Sequence, residues 1–492
     1  MSGLTCVVTG ATGYIGGRLA PRLIARGHQV RAIARTPEKL AAAPWATPGR
    51  VVRGDLSDRA SLDAAFAGAD VVYHLVHSMG LSEDFMAEER ASATNVALAA
   101  REAGVARIVY LSGLHPQGVE LSDHLTSRVE VGEILMASGI ATMVLQAGVV
   151  IGNGSASFEL IRHLTDRLPV MTTPRWVHNK IQPISIRDTL HYLVEAATCE
   201  LPERNRTWDI GGPNVFEYGE MMQIYAEAAG LRKRQMVVLP FLTPSLASRW
   251  VSTVTPVPGG LARPLIESLA CDAVMSEHDI DGVIAPPEGG LQTYREALTA
   301  ALDRVKRADT DKSWNNAEAT VSPAEPLPSD PPWAGEDVFT ENRSQDTTAS
   351  AAALWRVIEQ IGGENGWYSL PFGWTARAAI DQVVGGPGLR KRKSPGGPAV
   401  GQPLDWWRVE AIEPGKMLRL RAETKMPGTA WLELTVVPTA AGSRLQQRTV
   451  FYARGLAGLA YWYGQLPLHR LVFATMVRNI VKEAEKQRDP VG

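Results

Sequence analysis

Cysteine is scarce in this chain. Its 492 residues hold three, Cys6, Cys199 and Cys271, far apart and in no metal or redox motif. A disulfide scaffold is therefore excluded, and the usage suits a reducing compartment. Charge of one sign is also lacking. The formal net charge is −2, which leaves no global electrostatic case for a nucleic-acid partner. A long apolar run is missing too. The best candidate, Gly455 to Leu468, has fourteen uncharged residues but includes Gln465 and Pro467, and a span needs about twenty. No internal repeat is evident, and no signal peptide is read because the N-terminus is already strand-like. A cytoplasmic protein is expected.

What is present begins with the first twenty residues. Leu4-Thr5-Cys6-Val7-Val8 reads as a short buried strand, and a helix is expected from about Tyr14 to Arg26. Between them lies Thr9-Gly10-Ala11-Thr12-Gly13-Tyr14-Ile15-Gly16. Strand, glycine turn and helix form a dinucleotide-binding site. Gly10 permits the tight turn, Gly13 lets a pyrophosphate approach the backbone, and Gly16 lets helix and strand pack. The free N–H groups and positive end of the helix then hold the phosphates. The second strand, His28 to Ala34, ends at Arg35, with Thr36 and Lys39 close by. A site preferring NAD usually carries a carboxylate there for the ribose 2′-hydroxyl. A guanidinium instead pairs with a 2′-phosphate, so the expected cofactor is NADP(H); the alternative is a solvated surface arginine. The third strand, Val51 to Arg53, leads to Asp55 and Leu56, which are expected to flank the adenine.

Short β-branched strands follow at Val71–Leu75, Arg107–Leu111 and Ala141–Gln146, with a long helix from Phe85 to Ala103 and Gly104 at its end. Helices are also expected at 158–167, 186–198 and 218–229. The fold class is α/β: a Rossmann-like doubly wound parallel sheet, with a substrate lobe, over residues 1–305. Composition then shifts to an acidic, Pro-rich linker at 306–345, with Trp314, Trp333 and Phe339 as its few apolar anchors. Residues 346–492 read as an amphipathic helix (Ser350–Ile361), antiparallel strands between Trp406 and Tyr452, and a closing helix from about Leu468 to Lys486. That order suggests an α+β domain, a curved sheet gripping a helix. Seven of the thirteen tryptophans lie here: Trp355, Trp367, Trp374, Trp406, Trp407, Trp431 and Trp462. They read either as core or as the lining of an apolar cavity.

The glycine-rich motif, Asp55-Leu56 and Leu111-Ser112-Gly113 resemble the short-chain dehydrogenase/reductase superfamily in its extended or atypical branch. His77-Ser78-Met79-Gly80, Ser122-Asp123-His124-Leu125, Pro174-Arg175-Trp176-Val177 and Gln182-Pro183-Ile184 closely resemble the bacterial YbjT-type NAD(P)-binding proteins, over nearly the whole chain. In these two-domain proteins the C-terminal domain is of unknown function. Here it looks like the helix-grip (Bet v 1/START-like) architecture that binds lipids and polyketides. The superfamily's catalytic set implies a Ser after the fifth strand, matched by Ser112, and a Tyr and Lys four apart on the next helix. Counting back from Ser138-Gly139 puts His124 and Arg128 in those places; counting from Glu133 gives Leu125 and Val129. Neither register supplies Tyr-x-x-x-Lys. This argues against an ordinary alcohol dehydrogenase or a sugar-nucleotide epimerase.

His124 has an unperturbed pKa of about 6.5 and is either a proton-transfer group, its pKa lowered by Arg128, or a structural histidine. His77, His115 and His124 could share a metal, but no ligand spacing supports one, and none is expected. Arg175 and Lys180, beside Trp176, read as holding an anionic substrate group or as packing between domains. The run Arg390-Lys391-Arg392-Lys393 reads as a solvated loop or a contact with anionic lipid. Trp250, Val251, Val254 and Val257, with Leu456, Leu459, Tyr461 and Trp462, would form an apolar surface for a peripheral membrane contact. The expected function is an NADPH-binding oxidoreductase that reduces an apolar or lipid-like carbonyl, quinone or activated double bond. The alternative is a non-enzymatic NADPH-binding sensor, scaffold or accessory subunit.

Overall fold

Alternating short strands and amphipathic helices build the first unit around one parallel sheet. The computed structural model describes residues 3–77, 84–239, 244–308, 330, 333–335, 337–362, 366–369 and 397–487, and the chain divides into two units, Met1–Gly335 and Glu336–Gly492. Ser78, Met79, Gly80, Trp314, Trp374 and the Arg390–Lys393 run lie outside the described residues.

In the first unit the strands are β1 (Thr5–Thr9), β2 (Gln29–Ala34), β3 (Val51–Arg53), β4 (Val71–His74), β5 (Arg107–Gly113) and β6 (Ala141–Ala147). Three two-stranded pieces follow: β7 (Val150–Ile151) with β10 (Ile184–Ser185), β8 (Val170–Thr173) with β13 (Gln235–Val238), and β9 (Lys180–Ile181) with β12 (Phe216–Glu217). β11 (Asn205–Ile210) joins the main sheet, whose order is β11-β6-β5-β4-β1-β2-β3, with every pairing parallel. The strand order reverses between β1 and β4, and ligands bind at the carboxyl ends of strands at such a point. Successive β1 residues serve opposite faces. Cys6 and Val8 join one buried cluster with Leu19, Leu23 and Leu190, whereas Val7 joins another with Leu62, Val96 and Val131. The helices supplying those faces are α1 (Tyr14–Ala25), α2 (Arg59–Phe66), α3 (Phe85–Glu102), α4 (Asp123–Met136) and α6 (Ile186–Glu195).

A third cluster sits beyond the sheet, among α5 (Ala156–Arg167), α7 (Tyr218–Ala228), α8 (Pro244–Val254), α9 (Gly259–Ser268) and α10 (Tyr294–Ala308). Val251 and Val257 are buried in it, and Trp250 and Val254 pack against it. Of the four residues expected to form an apolar surface, Val251 and Val257 are therefore interior and Trp250 and Val254 are half-buried. The linker is corrected. α10 runs on to Ala308, Trp333 packs against the third cluster, and a strand begins at Val338. A linker over 306–345 is therefore too long at both ends.

The second unit is an antiparallel sheet with helices on one face. Its strands are β14 (Val338–Thr347), β15 (Pro403–Leu404), β16 (Trp407–Glu413), β17 (Met417–Ala422), β18 (Gly428–Thr439) and β19 (Gly442–Ala453), in the order β14-β19-β18-β17-β16-β15. The helices are α11 (Ala351–Glu359), capped by Ser350, and α12 (Gly455–Lys486). α12 begins well before the expected Leu468 and carries Pro467 inside it. Its later half (Phe473, Met476, Val477, Ile480) enters the core with Leu354, Leu418 and Leu434. Trp355, Trp367, Trp406 and Trp407 belong to that same core, and the Trp367 indole N–H donates to Asp405 Oδ2 at 2.7 Å. Among the described residues no helix is long and apolar enough to cross a membrane.

Candidate functional site

The turn after β1 is built for close approach. Gly10 has φ +73, and a Cβ there would lie 2.8 Å from the Leu75 carbonyl oxygen. Gly13 is the N-cap of α1 and gives it no side-chain cap, so the helix presents bare N–H groups. A cleft of about 1000 Å³ opens onto this end of the helix. Gly10, Thr12, Gly13, Tyr14, Ile15, Gly16, Arg35, Asp55 and Leu56 all line it, whereas Ala11 is fully buried behind it. Arg35 is exposed at the cleft edge, and no side-chain hydrogen bond engages its guanidinium among the described residues. Ser57 donates from its backbone N–H (3.0 Å) and hydroxyl (2.8 Å) to Asp55 Oδ1, and these bonds hold the carboxyl below its ordinary pKa. A glycine cradle, a free helix end and an exposed cation at the second strand fit a dinucleotide phosphate.

Ser112, His124 and Arg128 line the middle of the same cleft, with His77. Ser122 caps α4, which puts His124 in its first turn and Arg128 one turn later on the same face. Leu125 also reaches the cleft; Val129 does not line it. His124 is buried and its Nδ1 has no hydrogen-bond partner among the described residues. Burial, then the Arg128 charge, push its pKa down to about 3. The same two causes bring His74 to about 4, and they hold His77 well below the ordinary imidazole value. The lowering of the His124 pKa by Arg128 expected from the sequence is present, but burial contributes more, and together they keep the ring neutral. Arg128 donates from Nη2 to the Leu111 carbonyl oxygen at 2.8 Å, while its buried Nε has no partner among the described residues. The buried Ser112 Oγ has no hydrogen-bond partner of good geometry among the described residues.

The other sequence candidates do not gather here. Arg175 and Lys180 are exposed and outside the cleft lining, although Trp176 lines it. His115 turns instead to Gln146 (3.0 Å) and to the Pro116 carbonyl (3.2 Å). Among the described residues no group of His, Cys, Asp or Glu is arranged to hold a metal. Sequence reasoning missed the far half of the cleft, where Leu160, Leu164, Tyr218, Leu265, Leu269 and Trp333 form an apolar chamber. The spacing of Leu261, Leu265 and Leu269 along one helix face was the available signal.

The neutral histidines make a testable demand on stability. Unfolded histidine takes up a proton near pH 6.5, whereas folded His74 and His124 do so only near 4 and 3. Between those values the unfolded state binds more protons, so stability is full above about pH 6.5 and falls as the pH falls. The expected slope approaches about 1.4 kcal/mol per pH unit for each histidine. Calorimetric melting from about pH 7.5 to about pH 5 should show the decline, and His124→Phe should remove that residue's share of the slope while the share of His74 remains. A flat wild-type profile would contradict the assignment.

Residues 10–148 match the family described as NAD(P)H-binding, and residues 333–476 match a family described as a protein of unknown function (DUF2867). The sterol demethylase protein B of Methylococcus capsulatus is 35% identical over 132 residues, 25% of this chain and 40% of that protein. This chain therefore spans about two fifths of that relative's length. A 3 beta-hydroxysteroid dehydrogenase/Delta 5→4-isomerase of Mycobacterium tuberculosis is 25% identical over 375 residues, covering 65% of this chain and 95% of that one. Among solved structures, the NADP(H) complex of Citrobacter sp. triphenylmethane reductase is 22% identical, covers 61% of this chain and all of its own, and gives a TM-score of 0.48. The part of the first unit from the glycine turn to β6 is thus an NAD(P)H-binding domain.

Proposed function

We propose, from an NAD(P)H-binding unit of the atypical short-chain dehydrogenase/reductase kind, that the chain is an NADPH-dependent reductase of a large, uncharged, apolar carbonyl, quinone or activated double bond. One observation carries the reading. The cleft continues without interruption from the glycine turn, past Ser112, His124 and Arg128, into an apolar chamber. A protein that only sensed NADPH would have no use for that chamber. The charged lining residues, Arg35, Asp55, Glu88 and Arg128, belong to α3, α4 and the loops after β2 and β3, and none comes from the helices α5, α7, α8 and α9 that line the chamber. A charged substrate would have no partner in the other half. Two relatives carry names of enzymes acting on sterols or steroids, which agrees with an apolar substrate.

NADPH, when bound, supplies the hydride. The protein's own part is to stabilise the oxygen that becomes negative as the hydride arrives. Arg128 carries a permanent charge beside that place, and Ser112 offers a hydroxyl. The neutral His124 ring offers one N–H, which can polarise a carbonyl without giving up its proton. The proton that completes reduction then comes from water. A quinone, whose reduced oxygen is a weak base, needs this proton least urgently.

The cofactor reading has its own test. Arg35 stands where a carboxylate would select NADH, so NADPH should bind at least about tenfold tighter, a difference of roughly 1.4 kcal/mol. Arg35→Asp should reverse the order in calorimetric titration. Equal affinities in the wild type would remove the assignment. The activity is tested by following NADPH oxidation with a panel of quinones, enones and apolar ketones. Multiple turnover with any of them supports a reductase. NADPH that stays bound and unoxidised throughout favours the sensor, a reading supported by the missing Tyr-x-x-x-Lys pair and the low pKa of His124.

A further inference from the structure

We propose that Trp333 is part of the substrate site: it forms a wall of the apolar chamber, and the buried Arg18–Asp330 ion pair, with the ties of Trp333 and Gly335 to α5, holds it there. The proposal rests on the reading of that chamber as a substrate site, and it adds a recognition element from residues that the sequence reads as linker.

A segment that merely joined two domains would be solvated. Asp330, Trp333 and Gly335 are instead each tied down. Arg18 donates from both terminal nitrogens to the two Asp330 oxygens, at 2.7 and 2.6 Å, with side chains only 3% and 5% exposed. Burying such a pair costs desolvation that a simple tether has no reason to incur. Arg18 sits in α1, its guanidinium 4.1 Å from the centre of the Tyr14 ring, and Tyr14 lines the cleft. The second tie is the Trp333 carbonyl oxygen, 3.1 Å from His163 Nε2. The third is the Gly335 N–H, which donates to Glu159 Oε2 at 2.9 Å, while Glu159 Oε1 accepts from Gly154 N–H at 2.9 Å. Glu159 and His163 belong to α5, whose Leu160, Ile161 and Leu164 line the chamber. Trp333 is thus fixed between the helix that follows the glycine turn and the helix that forms the chamber floor. A rigid indole on an apolar cavity offers area and a flat π-face, which recognise a planar or polycyclic apolar molecule. The match to the family of unknown function begins at this same residue. Asp330 is then a positioning residue, acting through the tryptophan.

The test uses Nile red, an uncharged planar dye, titrated into the full-length protein saturated with NADP⁺ so that no turnover occurs. Trp333→Ala should weaken dye binding by about tenfold and Trp333→Phe by no more than about twofold, with NADP⁺ affinity unchanged in both. Asp330→Asn, which keeps the size but not the charge, should reproduce the loss with Trp333 intact. If Trp333→Ala does not fold, Trp333→Leu keeps the bulk without the aromatic plane and should also lose affinity. Unchanged dye binding in these variants, no dye binding by the wild type, or an equal loss of NADP⁺ affinity would overturn the proposal. Dye sites elsewhere on the chain would show up as the first of these. Failure of the reductase reading is distinct: no substrate would turn over, yet the dye pattern would persist.

Discussion

Gly13→Leu should abolish NADPH binding and leave the fold intact, whereas Gly16→Leu should damage both. The two positions are three residues apart and differ in what surrounds them. Gly13 has φ −87 and ψ 171, a conformation open to any residue, and a Cβ there meets only the Gly10 carbonyl oxygen, at 3.2 Å. A leucine at 13 would extend over the bare N-terminus of α1, where the phosphates belong. The NADPH dissociation constant should rise by about a hundredfold or more, roughly 2.7 kcal/mol. The melting temperature should move by less than about 3 °C. A Cβ at Gly16 would instead lie 2.4 Å from the same carbonyl oxygen, so helix and strand must part. Overpacking of that kind costs about 1–3 kcal/mol and displaces the N–H donors as well. Calorimetric titration and melting measure both quantities. Wild-type affinity in Gly13→Leu would mean that the phosphates lie elsewhere.

The second large effect is on chemistry. Arg128→Met should lower turnover by about a hundredfold to a thousandfold while NADPH affinity stays within about twofold. With His74, His77 and His124 all held neutral, Arg128 is the cation available to a developing oxyanion at the centre of the cleft. Arg128→Lys keeps a charge and should recover part of the rate. The pH profile separates this account from acid catalysis by histidine. Since His124 takes up its proton only at about 3 and arginine stays charged, kcat/KM should be flat between about pH 6 and about pH 8.5. An inflection near 6.5 that disappears in His124→Phe would return that residue to proton transfer.

Much of this was legible in the sequence where the signal is local. The turn after β1, the strands to β6 and the place of Arg35 follow from glycine positions and short β-branched runs. β11 was missed because its first half, Asn205-Arg206-Thr207, is polar at a sheet edge, although Trp208 behind it is fully buried. β14 was read as linker for a similar reason. It is an edge strand whose residues alternate between exposed and half-buried. The early start of α12 was hidden by Gly455, Gly458, Gly464 and Pro467, which weaken helix propensity that tertiary packing overrides. In the site, the residue types were readable but their state was not. The pKa of His124 depends on how deeply α4 buries it, and the Arg18–Asp330 pair joins residues 312 apart in the chain.

The central claim is that nucleotide and substrate share one cleft, with hydride passing between them. It is tested most directly with NADPH deuterated at the nicotinamide C4, one epimer at a time, and a turned-over quinone or enone analysed by mass spectrometry, with an enone product carrying the label at carbon. The account predicts deuterium transfer to the enone from one epimer only, and loss of that label from the cofactor with a quinone. Unlabelled enone product from both epimers, or labelled NADPH recovered intact beside every acceptor, would contradict it.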